Sequence, residues 1–336
     1  MDLFRRIFGK TTEDIPDDVV RPESQPSADA PPKEESSTLN EKESEGLDPS
    51  TRPVFQKIPT SADIADGVTQ PLNQEVLIAN HNSHISFGQS SDVGLVRNNN
   101  QDAMLSVFYT IGSIDELPDF GLFVVADGMG GHQMGEKASA IVTKTMAEYV
   151  TKNIYLPIIN NKNGSDLLPI SEVLIEGVQR SNERVIHEVP DGGTTVTAVA
   201  IVGDLAYVAH VGDSRAYLIT TEGVEQLTRD HSLVQRLIEL DQLTREEADD
   251  HPQRNVLYRA LGQNESLEVD TFTRRLPKNS RLMICSDGLW GLVDEKNIYE
   301  TAMNYPDPQQ AADKLVALAN TNGGVDNITV ILLKVN

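Results

Sequence analysis

The 336-residue sequence contains one cysteine, Cys285. A single thiol excludes an internal disulfide, and with it a bridged secreted scaffold. It also excludes a zinc site built on several thiolates. Aromatic residues make up 5% of the chain and hydrophobic residues 39%, low for one globular unit, which suggests that a disordered part dilutes an ordinary one. No apolar run approaches the ~20 residues that span a bilayer, so no transmembrane segment is expected. Arg5 and Arg6 are followed by no apolar run or cleavage site, so no signal peptide is expected and the cytoplasm is the expected compartment. Basic residues are scarce: 28 Lys and Arg stand against 51 Asp and Glu, a formal charge of −23. That balance argues against a nucleic-acid partner, whose phosphates are gripped by Lys and Arg. The excess acid is either a solvated surface or a set of carboxylates converging on cations. Composition alone does not separate the two.

Residues 11–50 hold twelve acids and three bases, are rich in Pro and Ser, and contain no aromatic residue. Such a segment buries too little apolar surface to offset its ordering entropy. Residues 1–80 therefore read as a disordered acidic tail, with local order conceivable only around Val76–Ile78. Within it, residues 1–10 place Leu3, Phe4, Ile7 and Phe8 together, either as a weak peripheral membrane contact or as a frayed terminus.

From about residue 83 the texture changes. Three β-rich runs within 196–220 are separated by Gly203-Asp204 and Gly212-Asp213, which predicts an antiparallel meander with tight turns. Further strands are expected at 121–126, 281–286 and 327–335. Helical spacing appears over 135–150, over 171–188 with Ser171 as a candidate N-cap, and over 308–320. A short helix, a break and a second start at Thr244 are expected within 231–250. This order predicts an antiparallel α+β domain over 81–336 instead of βαβ winding.

Two segments repeat a design. FVVADGMGG (123–131) and MICSDGLWG (283–291) each run a strand apolar on both faces into Asp-Gly. Both can be simple turns. An aspartate ending a buried strand is costly unless its charge is compensated, however, and two such ends can bring Asp127 and Asp287 together. Carboxylates that meet repel unless a cation separates them, and oxygen donors suit hard ions such as Mg²⁺ and Mn²⁺. Gly128, lacking a side chain, can bring its carbonyl close to an ion. Asp102, Asp213 and Asp326 occupy comparable turn positions. Singly each reads as a turn residue; together they can gather at one rim. Cys285 reads as a small buried hydrophobe.

In this order the segments SSDVGLVRNNNQDA, VVADGMGGHQMGEKAS, GGTTVTAVAI, VAHVGDSRAYLI, ICSDGLWGLV and VDNITVILLKV resemble the metal-dependent type 2C serine/threonine protein phosphatases of the bacterial kind. The likeness runs from about Ser90 to Val335. It implies a four-layer α-β-β-α sandwich of two antiparallel sheets flanked by helices. It also implies hydrolysis of phosphoserine or phosphothreonine by direct attack of a hydroxide bridging two Mn²⁺ or Mg²⁺ ions. By the same resemblance, Asp127 bridges the ions, the Gly128 carbonyl ligates one, and Asp287 and Asp326 complete the other's shell. Asp102 ligates or orients ion-bound water, and Asp213 with Asp287 holds a third, weaker ion. Arg97 grips the phosphate, and His132 protonates the leaving oxygen. Residues 231–262 resemble a flap, whose Arg236, Arg245, Arg254 and Arg259 either meet substrate or form a solvated surface. Gln101 stands where many relatives have Glu. Phosphorylated targets of a cognate Ser/Thr kinase, and a monomeric state, are the expected partners and assembly.

Overall fold

The computed structural model describes residues 85–110, 117–130, 134–160 and 168–336. The expectations for the acidic tail, for residues 1–10 and for His132 lie outside the described residues. In chain order the elements begin with β1 (Ile85–Asp92), β2 (Asp102–Tyr109) and β3 (Phe120–Met129). Helix α1 (Met134–Val150) follows, then a π turn (Thr151–Tyr155), α2 (Leu156–Ile159) and α3 (Ile170–Glu188). Next come β4 (Gly193–Thr194), β5 (Val196–Val202), β6 (Leu205–Val211), β7 (Arg215–Thr220) and β8 (Gly223–Gln226). The chain continues through α4 (Leu233–Glu239), α5 (Arg245–Asp249), β9 (Asp270–Arg275) and β10 (Arg281–Cys285). It closes with α6 (Asp287–Trp290), α7 (Glu295–Asn304), α8 (Pro308–Thr321) and β11 (Ile328–Val335). Among the described residues no helix is long and apolar enough to cross a membrane.

Two antiparallel sheets carry the domain. One has the order β1-β11-β10-β7-β8 and the other β2-β3-β5-β6-β9, with the short β4 beside the end of β3. Alternation along the central strands explains the layering. In β3, Phe123 and Val125 face the opposite sheet, while Leu122, Val124 and Ala126 pack under α1 and α3. In β10, Leu282 and Ile284 face inward, while Met283 and Cys285 pack under α7 and α8. Strands buried on both faces read as continuous apolar runs, and here they form the middle of an α-β-β-α sandwich. Cys285 is buried with its thiol pushed up to about 12 by desolvation, so it is an inert packing group.

The expected meander is only half present. Gly203-Asp204 is a true hairpin turn: Val202 pairs with Leu205, and Gly203 takes φ 61°. Gly212-Asp213 is instead a crossover. β6 pairs with β5 and β9, whereas β7 pairs with β10 and β8 in the other sheet. Gly212 turns the chain at φ 115°, and a Cβ there would lie 2.5 Å from the Thr195 side chain. His231 clamps the crossover, accepting from Gly212 N–H through Nδ1 at 3.0 Å and donating its own N–H to Gly212 O at 2.7 Å. Gly212→Ala is expected to lower stability by about 1–3 kcal/mol and to displace Asp213. Thermal melting together with titration of divalent ions checks both effects; a variant unchanged in both would contradict the crossover's strain.

The helices form near the expected bounds with one correction. α3 begins at Ile170, its N-cap is Pro169, and no side chain caps it, so Ser171 lies inside the first turn. In the flap region Thr244 caps α5 in a capping box with Glu247, as the Thr-Arg-Glu-Glu pattern suggests.

Candidate active site

Five strand ends meet at one end of the sandwich. The antiparallel register of β2 and β3 sets Asp102 directly opposite Asp127. The end of β10 delivers Asp287, the crossover delivers Asp213, and the entry to β11 delivers Asp326. The two sheets thus contribute to one recess, and the charges there sense one another. Burial pushes the Asp127 carboxyl well above the usual carboxylate range, with further elevation from Asp102, Asp287, Asp213 and Asp326. Asp102 is pushed up to about 7, first by burial and then by Asp287 and Asp326, against hydrogen bonds from Thr329 and Ser286. Asp287 is pushed up to about 6 by burial and Asp326, offset by a hydrogen bond from Asp127 and by Arg97. Asp213 is raised by burial, Asp287 and Asp230.

The backbone around these groups is held by residues that the sequence reading left without a role. Asp127 N–H donates to Thr195 Oγ1 at 2.9 Å, and Asp127 O accepts from Thr195 N–H and from Thr194 Oγ1 at 2.8 Å. Thr195 Oγ1 in turn lies 2.7 Å from Ser214 Oγ, which follows Asp213. Ser286 Oγ donates to Asp102 Oδ2 at 2.7 Å, linking one sheet's end to the other. Asn327 accepts from Gln101 N–H through Oδ1 at 2.8 Å, and its Nδ2 donates to Val93 O at 2.9 Å and Asn99 O at 3.0 Å. Ser214, Ser286 and Asn327 each adjoin one of the aspartates in sequence, and Thr194 and Thr195 form a Thr-Thr pair in the motifs, which was the available signal.

Gly128 is required by backbone packing. Its N–H donates to Gln101 O at 3.1 Å, and a Cβ would sit 2.2 Å from Gly135 O and 2.6 Å from Gln101 O. Gln101 reaches Gly130 O through Nε2 at 3.3 Å.

Around Asp213 lies a second, polar scaffold. Arg215 makes a two-pronged ion pair with Asp230, 2.7 Å at the closest, and its guanidinium stacks 3.5 Å over the Trp290 ring. Trp290 Nε1 donates to Asp213 O at 3.0 Å. Because α6 starts at Asp287 and ends at Trp290, this single helical turn ties Asp287 to Asp213.

Arg97 reaches the rim and donates to Asp326 Oδ2 at 2.6 Å, while Asp326 Oδ1 accepts from Asn327 N–H at 2.8 Å. Its guanidinium is held more firmly protonated by Asp326, Asp287 and Asp127. Among the flap arginines, Arg259 bonds Asp270 and Glu268, and Arg236 bonds Glu239. His210 and His231 are buried, and desolvation lowers both, His210 to about 3, so both are neutral near pH 7.

The chemistry of this donor set fits a hard divalent cation. Its groups are oxygen donors with repelling charges, and Asp102 Oδ1 is buried without a hydrogen-bond partner. The carboxylates are not yet gathered as one ion's ligands: among the described residues no three His, Cys, Asp or Glu side chains meet at that spacing. Arg97 instead engages Asp326, and Ser286 engages Asp102.

Residues 96–320 match the protein phosphatase 2C family. The serine/threonine phosphatase stp of Listeria innocua is 33% identical over 256 residues, covering 73% of this chain and 94% of that protein. The solved S. agalactiae serine/threonine phosphatase is 32% identical with a TM-score of 0.66, covering 75% of this chain and 100% of that one. The catalytic domain of the serine/threonine protein phosphatase PstP, solved with two manganese ions, is 32% identical with a TM-score of 0.60, covering 75% of this chain and 98% of that one. The chain belongs to the protein phosphatase 2C family and is a serine/threonine phosphoprotein phosphatase dependent on Mn²⁺ or Mg²⁺.

Proposed function

We propose that the recess of Asp102, Asp127, Asp213, Asp287 and Asp326 beside Arg97 is where this phosphatase acts. The observation that carries the reading is the convergence of five mutually repelling carboxylates from both sheets on one rim with a phosphate-competent guanidinium. Asp127, the Gly128 carbonyl, Asp287 and Asp326 would hold the core ion pair, and Asp213 with Asp287 a third ion. When bound, the ions acidify water to give a nucleophile near neutral pH and withdraw charge from the phosphate.

The chain's own residues do the rest. Arg97 exchanges Asp326 for two phosphate oxygens, a trade its planar fork makes without moving far. Asp102 Oδ1 is an open acceptor that orients the attacking water. Asp127 holds the centre, coupled to each of the other four carboxylates. His132, which falls in the sequence between Met129 and Met134, is assigned the proton for the departing serine or threonine oxygen, an effect typically worth ~10²–10⁴-fold.

Residues 81–336 form the catalytic domain in this reading, and residues 1–80 an acidic tail. The substrates are phosphoproteins made by a cognate Ser/Thr kinase, met by a cytoplasmic monomer. The test is phosphate release from a phosphothreonine peptide with Mn²⁺, Mg²⁺ or EDTA, in wild type and Arg97 variants. Arg97→Ala is expected to lower kcat/KM by roughly 10²-fold, and Arg97→Lys to recover only part of it, because an ammonium cannot form the two-pronged contact. Full activity in Arg97→Ala would remove its assigned role.

A further inference from the structure

The three most exposed large hydrophobic side chains among the described residues are Leu95 at 70%, Val96 at 65% and Val325 at 51%. They are neighbours at the mouth of the site. Val96 precedes Arg97, and Val325 precedes Asp326, the residue that Arg97 grips. Two loops are joined here: Leu95 N–H donates to Gly324 O at 2.7 Å, and a Cβ on Gly324 would lie 2.9 Å from Leu95 Cγ. Gly94, at φ 81°, backs directly onto Asp326 O, where a Cβ would come within 2.3 Å. Asn327 pins the same loop through Val93 O and Asn99 O. These contacts fix the backbone of the two loops, which present the three side chains as an apolar ledge. Single exposed hydrophobic residues are ordinary, but a contiguous exposed group beside a reactive site marks a contact surface.

We propose that Leu95, Val96 and Val325 form a specificity ledge that docks an apolar side chain next to the phosphorylated residue of the substrate protein. The inference rests on Arg97 marking the position of the phosphate. The ledge starts one residue from Arg97, and an extended peptide advances about 3.3 Å per residue, so a phosphate held at Arg97 places residues one or two positions away over the ledge. These three side chains carry no polar group, so what they reward is release of water by an apolar partner. The rest of the chain is acidic, with a net charge of −23, so the ledge is a patch on which a negatively charged phosphopeptide gains attraction without charge.

The test compares two phosphothreonine peptides, one flanked by Leu and Val and one flanked by Ser and Gly, with 4-nitrophenyl phosphate as a substrate too small to reach the ledge. The enzymes are full-length wild type, Leu95→Ser/Val325→Ser and Leu95→Met, each with Mn²⁺. Wild type is expected to favour the apolar-flanked peptide by about five- to twentyfold in kcat/KM, mainly through KM. The double variant is expected to lose this preference while hydrolysing the aryl phosphate and the polar-flanked peptide as before. Leu95→Met should retain it. No preference in wild type, or a parallel loss on all three substrates, overturns the ledge. Faster turnover of both peptides by the double variant would also overturn it, by showing that a segment of the chain itself occupies the surface. Absence of metal-dependent release from the aryl phosphate in wild type would overturn the phosphatase site itself, a failure distinct from that of the ledge.

Discussion

Asp127→Asn is expected to reduce metal-dependent phosphate release by roughly a thousandfold or more while raising the melting temperature of the metal-free protein. The opposite signs follow from one cause. Asp127 lies across from Asp102 in the β2–β3 register and is pushed up by all four of the other carboxylates. Without ions that concentration of charge opposes folding, and an amide of the same size removes it. The amide can still donate toward Asp287, as the protonated Asp127 carboxyl does. With ions the same concentration of charge is what binds them, and a neutral amide is a far weaker ligand for a hard cation. An aspartate with a purely structural role would behave differently: its removal would lower stability with and without metal. Steady-state hydrolysis of a phosphopeptide with Mn²⁺, paired with thermal melts in EDTA, separates the two. Activity within tenfold of wild type would reject the central role of Asp127.

The sequence made the middle of the fold legible and the edges obscure, for a physical reason. β3, β5, β6, β10 and β11 are buried on both faces, so their apolar runs stand out. β1, β2, β8 and β9 lie at sheet edges and are mostly half-buried along their length, which leaves no clean alternation to read. Local turn chemistry was a sound guide where the turn joined paired strands, at Gly203-Asp204. It failed at Gly212-Asp213, where the same dipeptide carries the chain between sheets, because pairing partners are set by long-range packing that a dipeptide does not encode. The aspartates of the site were legible because a carboxylate closing an apolar strand violates the usual patterning. Their supports were not: Thr195, Ser214, Ser286 and Asn327 are residue types common in any loop, and their importance appears only once the hydrogen bonds are seen. The same holds for Trp290, whose bond to Asp213 O spans 77 positions of chain.

The second large effect concerns pH and metal together. In EDTA the protein is expected to lose roughly 3–8 °C of melting temperature as pH rises from 5 to 7, a loss that Mn²⁺ abolishes. Asp102 and Asp287 titrate in the folded state at about 7 and about 6, above the ordinary aspartate value of 3.8, and Asp127 and Asp213 are raised as well. An acid with a raised folded pKa holds its proton more tightly when folded. Its contribution is therefore fully present below the unfolded pKa and is lost as pH rises through the folded value, at about 1.4 kcal/mol per proton per pH unit. Two histidines act in the opposite direction. His210 and His231 are lowered from 6.5, so what they contribute is present above that value and is lost as pH falls below it. The two groups overlap below pH 6.5, where four raised carboxylates outweigh two lowered histidines, so the metal-free protein loses stability as pH rises toward 7. Bound Mn²⁺ replaces the protons as counter-charge and adds its own binding free energy to the folded state, removing the carboxylates' loss but leaving the histidines' contribution. Thermal melts from pH 5 to 8, with EDTA and with Mn²⁺, read both. A metal-free melting temperature that stays level or rises from pH 5 to 7 would show that the recess does not store the repulsion on which ion binding depends.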